Sequence, residues 1–497
     1  MKSHHQTDRL STGGQDTSWP AEEWAAQRSQ RVDMTSGPVM ARLLKLTWPL
    51  VTGNLLQTFY NLADMFWVGR VGADAVAAVS IVFPTAWLLI SIGMGLTVAA
   101  GVFVAQHIGA RQEAAARHVA GQAVTAALVL GMALAALGYA LRVPLLRLMG
   151  AEGAVFSHAL QYVEVIFWSV PFSFLFFAFR SVLRGCGDTF TAMIMMVLST
   201  LANIILDPLL ILGWGPIPAM GTRGAAVATL LARAGVALFG AYLLFRGSRG
   251  LRLRPADLYP NTRTIRRLII VGAPAALDGA ARSFSAVATI ALVTRFGPAV
   301  TAAYGVSIRL MSTIWTVSGA VGEATNTAVG QNLGAGKPDR AERIAWIATA
   351  WDFLFLSLVG LLAFLFPEPI IRVFVQDPAV IQEGRILLRI VVWGFGFAGA
   401  LMVIQGAFRG AGRTVAAMLL SFVSRWLVRL PAIYLLAYTL DWGPLGLWWG
   451  MLFADVVSAL AGALWLRMGT WKSAIIEIEG AAAQATRPTD GVAATRN

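Results

Sequence analysis

Arg184-Gly-Cys-Gly-Asp-Thr189 and Arg409-Gly-Ala-Gly-Arg-Thr414 stand 225 residues apart. The same shift of 225 carries Pro49 onto Pro274, Arg70 onto Arg295, Gly72 onto Gly297, Trp168 onto Trp393 and Gly221 onto Gly446. It also carries Gln106, Gly109 and Ala110 onto Gln331, Gly334 and Ala335. Apolar helices match one another by chance. Polar and glycine loop residues held in one register do not, so the chain is an internal duplication.

Around these marks lie stretches of about twenty apolar residues divided by charged or Pro/Gly turns, the pattern of membrane-spanning helices. They fall at roughly 43–67, 75–105, 119–141, 159–180, 190–212 and 222–246, then at 267–290, 299–330, 344–366, 384–405, 414–437 and 444–467. Six helices per half insert both halves in the same orientation. The halves are then related by a pseudo-twofold axis along the membrane normal, with a cavity between them. The expected fold class is an all-α polytopic membrane protein with twelve transmembrane helices in two six-helix lobes. The expected domains are a disordered tail over 1–40, an N-lobe over 41–246, a linker over 247–266, a C-lobe over 267–470 and a second disordered tail over 471–497.

Composition agrees. Of 497 residues, 57% are hydrophobic and 13% charged, against about a quarter charged in soluble domains. The formal charge of +13 does not point to nucleic acid, because the basic residues sit in short loops where they orient a membrane protein. With the N-terminus inside, the inner loops from Arg111 to Arg413 hold sixteen Arg or Lys, and the outer loops hold six (Arg70, Arg142, Arg147, Arg223, Arg295 and Arg372). Both termini are therefore expected in the cytoplasm of an inner-membrane protein. No apolar h-region of a cleavable signal peptide is visible near the start. A single cysteine, Cys186, excludes an internal disulfide and a cysteine metal cluster.

Acidic groups inside apolar helices cost roughly 2.5–3.5 kcal/mol on insertion scales and are functional candidates by default. Asp64 on the first helix lies 64 − 45 = 19 residues beyond Lys45, and Asp207 on the fifth lies 207 − 188 = 19 beyond Asp188. Each has climbed about 29 Å at ~1.5 Å per residue, so the two reach one depth. Asn61 precedes Asp64 by three and Asn203 precedes Asp207 by four, placing each amide on the face of its carboxylate. Two carboxylates and two amides offer hard oxygen ligands for Na⁺, or a carboxylate pair that holds a proton. The repeat replaces Asp64 with Thr289, Asn203 with Val428 and Asp207 with Ala432, so the fold does not need the acids. In the second half, Glu323 among Gly322, Thr325 and Asn326 is the secondary candidate. Asp278 is expected to pair with Arg282, and Arg425 and Arg429 with one of the remaining acids, among them Asp352 and Asp455. Pro49, with Gly53 beside it, offers a hinge in the first helix, or merely marks that helix's start.

At these residues the chain resembles the multidrug and toxic compound extrusion (MATE) family, over about 35–465. The likeness rests on Pro49 with Asn61-Leu-Ala-Asp64, on Gln106-His-Ile-Gly-Ala110 and its partner Gln331-Asn-Leu-Gly-Ala335, on the Arg-Gly-x-Gly turns, and on Asn203-Ile-Ile-Leu-Asp207-Pro208. It implies a two-lobed secondary antiporter that exports cationic or amphipathic drugs and dyes in exchange for H⁺ or Na⁺ by alternating access. It further implies that Asp64, Asn203 and Asp207 form the coupling site, as in the bacterial branch bearing N-lobe aspartates. A branch using acids on helices seven and ten is disfavoured, since no acid lies between Arg385 and Gln405. The alternative within the superfamily is a flippase for lipid-linked oligosaccharides. No cofactor, no metal beyond Na⁺ at the coupling site, and no nucleic-acid partner is expected. The lipid bilayer and small-molecule drugs or dyes are the expected partners of a monomer. The chain lacks Walker A, H-E-x-x-H, G-x-S-x-G and CxxC patterns, so neither an ATP-driven pump nor an enzyme is expected.

Overall fold

A computed structural model describes residues 31–216, 218–247 and 251–476. Among them twelve long helices follow one another: α1 Val39–Gly69, α2 Ala73–Gly109, α3 Glu113–Leu148, α4 Gly153–Gly185, α5 Thr189–Ile211 and α6 Gly221–Arg246. After a short turn of 3₁₀ helix at Pro255–Leu258 come α7 Thr262–Phe296, α8 Pro298–Gly334, α9 Pro338–Leu365, α10 Pro378–Gly410, α11 Thr414–Thr439 and α12 Pro444–Arg467. This is a multi-pass, all-helical membrane fold. Ten of the helices are long and apolar enough to span a bilayer by composition alone. The two that are not, α1 and α8, carry the intramembrane polar residues from Asn54 to Asp64 and from Glu323 to Gln331, and they pack against each other.

The lobes meet most extensively through three helix pairs, α1 with α8, α2 with α7, and α2 with α8. Exchange of the halves turns the first pair into the second and the third into itself, which is the pseudo-twofold the repeat requires. Hydrogen bonds across the seam obey it. Gln106 Nε2 donates to the Gly410 carbonyl at 3.0 Å, and its counterpart Gln331 Nε2 donates to the Gly185 carbonyl at 3.1 Å. The Arg-Gly-x-Gly turn now has a physical reason. A Cβ at Gly185 would press on the Gly101 carbonyl, and one at Gly410 on the carbonyl of Asn326, 225 residues after Gly101. The second glycines, Gly187 and Gly412, take φ of +85° and +76°, which side chains rarely tolerate.

These contacts lie on the face that carries the chain's described ends. There the expected tail and linker boundaries need correction. Met34 is fully buried. Its amide donates to Gln331 Oε1 at 3.2 Å, and its carbonyl accepts from Asn332 Nδ2 at 3.1 Å and Arg340 Nε at 3.0 Å. Within the same segment Asp33 is pushed up by partial burial, but hydrogen bonds from Thr35 and Ser36 and the charge of Arg42 outweigh this and hold its carboxyl below the usual range. At the other end Trp471 is buried, Lys472 pairs with Glu342 at 2.6 Å, and the Ile475 amide donates to Gln106 Oε1 at 2.9 Å. Each seam glutamine therefore binds one terminal segment. The expected disordered residues 1–30 and 477–497 lie outside the described part.

The linker is likewise docked. Asp257 pairs with Arg117 at 3.0 Å, while Gln122 Nε2 donates to the carbonyls of Asp257 and Tyr259 at 2.8 and 2.7 Å. Helices α1 and α7 begin earlier than expected, at residues 39 and 262. Pro49 and Pro274 therefore stand inside their helices, not at the start.

Candidate functional site

The site is built on α5. Ser199, Asn203 and Asp207 recur every four residues on one helical face, and all three are fully buried. Thr200 is buried beside them. Asn203 Nδ2 donates to Asp207 Oδ1 at 3.0 Å, so the i, i+4 pair expected from the sequence forms. What remains is a set of oxygens lacking hydrogen-bond partners: Asn203 Oδ1, Asp207 Oδ2, Ser199 Oγ, Thr200 Oγ1 and, from α1, Asp64 Oδ1. Buried polar atoms nearly always find a partner. The acceptors of Asp64, Asn203 and Asp207 suit an oxygen-seeking ligand, while the Ser199 and Thr200 hydroxyls lie roughly 10–12 Å further along α5. The two carboxylates are close enough to act on each other, and both act on the buried phenols of Tyr60 and Tyr162.

Asn61 does not join them. It is exposed, and its Oδ1 accepts from Gln57 Nε2 at 3.2 Å. Its three-residue spacing from Asp64 puts it on the neighbouring strip of α1. Conversely, the sequence signal of Arg233 on α6 was passed over, although the cost of a charge in an apolar span applies to it as to the acids. Its guanidinium lies over the rings of Phe176 at 4.6 Å and Tyr60 at 5.2 Å, and Nη2 donates to Gln57 Oε1 at 3.3 Å. Tyr60 also bonds Thr229 Oγ1 at 2.9 Å. The carboxylates thus lie near aromatic rings and the Arg233 cation, which pairs with no acid among the described residues.

Glu323, the secondary candidate, is engaged elsewhere. Its Oε2 accepts from Arg184 Nη1 at 2.8 Å, so it is an ion pair between α8 and α4, across the seam. Arg409, the repeat partner of Arg184, stays within its own lobe and meets Asp278 Oδ2 at 3.1 Å. The expected Arg282–Asp278 pair forms at 2.6 Å. Arg429 pairs with Asp455, while Arg425 pairs with neither acid. Asp352 is fully buried and its Oδ2 accepts from Ser318 at 2.7 Å. Among the described residues no group of three or more His, Cys, Asp or Glu could hold a metal ion.

Sequence and structure comparisons bear on this arrangement. The MatE family profile matches the chain twice, over residues 49–209 and 274–435. The two starts differ by 274 − 49 = 225, the period of the repeat. The chain is 31% identical over 424 residues to the probable multidrug resistance protein YoeA of Bacillus subtilis, covering 83% of this chain and 90% of that protein. It is 27% identical over 408 residues to an FAD transporter of Shewanella oneidensis, covering 82% and 90%. Among solved structures, the outward-facing conformation of a multidrug resistance transporter of this type superposes with a TM-score of 0.81 at 26% identity, covering 88% of this chain and 96% of that one.

Proposed function

The chain belongs to the MatE family, and from that premise we propose that it is a multidrug efflux antiporter driven by a cation bound at Asp64 and Asp207. The orphaned oxygens around these carboxylates carry the reading. A cation entering there meets the free oxygens of Asp64, Asn203 and Asp207 already in place, which offsets part of the cost of dehydrating it. Na⁺ would be held by those oxygens directly. A proton would instead sit between two carboxylates that cannot both stay charged at close range.

The loop charges favour the face carrying the chain's ends as the cytoplasmic one. The seam is joined there by Gln106, Gln331 and the Arg184–Glu323 pair, so the described state is closed on that face, as an outward-facing transporter is. In that state the cation binds to the N-lobe. Its charge cancels the attraction of the acids for a cationic drug, and the drug leaves. Closing the outer side and parting the seam releases the cation inward and exposes the carboxylates to the next drug. Pro49 within α1 breaks that helix's hydrogen-bond ladder between the seam and Asp64, where bending would couple the two.

The test is efflux of ethidium from vesicles containing the full chain, with pH and Na⁺ gradients imposed separately. One gradient alone should drive ethidium efflux, and Asp207→Asn should abolish that dependence. Efflux indifferent to both gradients would refute the antiport.

A further inference from the structure

The interior of the C-lobe has the opposite charge to the N-lobe site. Arg425 and Arg429 stand near the middle of α11, the eleventh and fifteenth residues after Thr414. Asp455 stands near the middle of α12, and Arg282 extends from α7. The ion pairs use up Asp278 and Asp455, and Asp352 is held by Ser318. Asp278 Oδ2 serves both Arg282 and Arg409, and Asp455 Oδ1 serves Arg429. Four guanidiniums thus share two carboxylates, and counting Asp352 as charged still leaves an excess of one positive charge. Including Glu323 does not correct this, because it comes with Arg184 and the nearby Arg180.

Arg425 is the member left over. It makes no hydrogen bond or ion pair with any described residue, and Arg282 and Arg429 both repel it. An arginine in mid-membrane is strongly disfavoured against lipid, and a partly exposed one faces water or a ligand. Arg425 is half-buried and the Arg282 side chain is 29% exposed. Local backbone supports the same reading. Residues Val423–Arg429 form a π-helix just before Pro431, and such insertions recur at functional sites. The positions 225 earlier than Arg282 and Arg425 hold Gln57 and Thr200, so the repeat alone does not demand the charges.

We propose that the C-lobe interior around Arg425 and Arg282 binds the anionic group (carboxylate, phosphate or sulfonate) of an amphiphilic ligand. Guanidinium forks match such groups two oxygens at a time. The neighbouring Trp426, stacked on Phe422 at 6.1 Å, offers an aromatic surface for the apolar part. The cleft between the lobes would then take ligands with charge of either sign, cations towards α5 and anions towards α11. This rests on the transporter reading above for the existence of a substrate cleft, but not on its coupling ion.

Equilibrium binding in nanodiscs separates the two, because no gradient is needed. Anionic fluorescein and cationic ethidium are titrated into the full chain, with Arg425→Gln and Arg425→Lys as variants. Arg425→Gln should weaken fluorescein by about tenfold, the loss of one charge-assisted contact, and leave ethidium within about twofold. Arg425→Lys, which keeps the charge but loses the fork, should fall between wild type and Arg425→Gln. A melting curve on each variant separates lost binding from lost folding. Repeating the titration in phosphatidylcholine with and without phosphatidylglycerol distinguishes the source of the anion. Equal fluorescein affinity in both assigns the site to a free solute. Competition by phosphatidylglycerol that vanishes in Arg425→Gln assigns it to a lipid headgroup. Equal weakening of both dyes by Arg425→Gln, or fluorescein binding that ignores the substitution, would overturn the proposal.

Discussion

On α5 one helical face presents Ser199, Thr200, Asn203 and Asp207; 225 residues later α11 presents Ser424, Arg425, Val428 and Ala432. The flanking turns match glycine for glycine. What the duplication kept are the groups that let backbones touch: Gly185 and Gly410 against helix carbonyls, and Gly109 and Gly334, whose added Cβ atoms would strike the carbonyls of Gln331 and Gln106 respectively. What it let drift are intramembrane side chains, and these drifted to opposite sign. Packing constrains both copies equally because the pseudo-twofold makes each the partner of the other. Charge has no such reciprocity, so one lobe could specialise in cations while the other became basic.

The largest effect should come from removing the acid of the N-lobe. Asp207→Asn, at normal membrane levels, should cut gradient-driven ethidium efflux by roughly 100-fold, equivalent to ~2.7 kcal/mol of lost cation affinity. Asp64→Asn should do the same, and the double variant little more, since groups acting as one unit are non-additive. Transplanting the acid with Asp207→Ala and Ala432→Asp together should not restore efflux, because Arg429 lies three residues from position 432 and would claim the carboxylate. Near-normal transport by both single variants would erase the contrast between the lobes.

Next come the positions where the lobes should behave alike. Gly109→Ala and Gly334→Ala each drive a Cβ into a backbone carbonyl across the seam, a clash worth about 1–3 kcal/mol if the helices cannot shift. The two should lower thermal stability by similar amounts. They should also raise cysteine labelling at the face carrying the chain's ends. A large difference between them would break the pseudo-symmetry of the closed face.

A smaller, asymmetric effect is expected of the paired arginines. Arg184→Gln removes an ion pair between lobes, whereas Arg409→Gln removes one within the C-lobe. With Glu323 34% exposed, the seam pair is discounted to about 1 kcal/mol, roughly a fivefold shift of the conformational equilibrium towards a parted seam. Distance measurements across the closed face should register this for Arg184→Gln and Glu323→Gln, and not for Arg409→Gln. The smallest effect belongs to Asp352→Asn. The amide oxygen can still accept from Ser318, so efflux should stay within about twofold. A collapse of transport in this variant would reveal a second coupling carboxyl in the C-lobe.

Much of this was legible beforehand. Hydropathy located the spans, and the register of loop residues located the repeat. Insertion cost singled out Asp64 and Asp207, and the i, i+4 rule brought Asn203 to its acid. The same local rule misled at Asn61, because a three-residue step on a helix can turn a side chain off the shared face. It also fell short at the helix starts. Val39 and Thr262 open helices earlier than hydropathy suggested, since Arg42 and Lys45 interrupt the apolar run of the first and Arg263, Arg266 and Arg267 that of the second, whose start Asn261 caps.

The sequence by itself determined the twelve-helix duplicated architecture, the glycine turns, the sign of the charge in the loops and the presence of charged residues inside the membrane. Each of those depends on residues near one another in the chain or on a strict repeat. Only the tertiary structure decided that Gln106 and Gln331 cross the seam to Gly410 and Gly185, and that Met34 and Ile475 lock onto those same glutamines. It likewise decided that Glu323 answers Arg184, and that Arg425 is left without an acid. Several of these contacts join residues about 140 to 370 positions apart. No local periodicity encodes such a pairing, because it exists only once two lobes have packed.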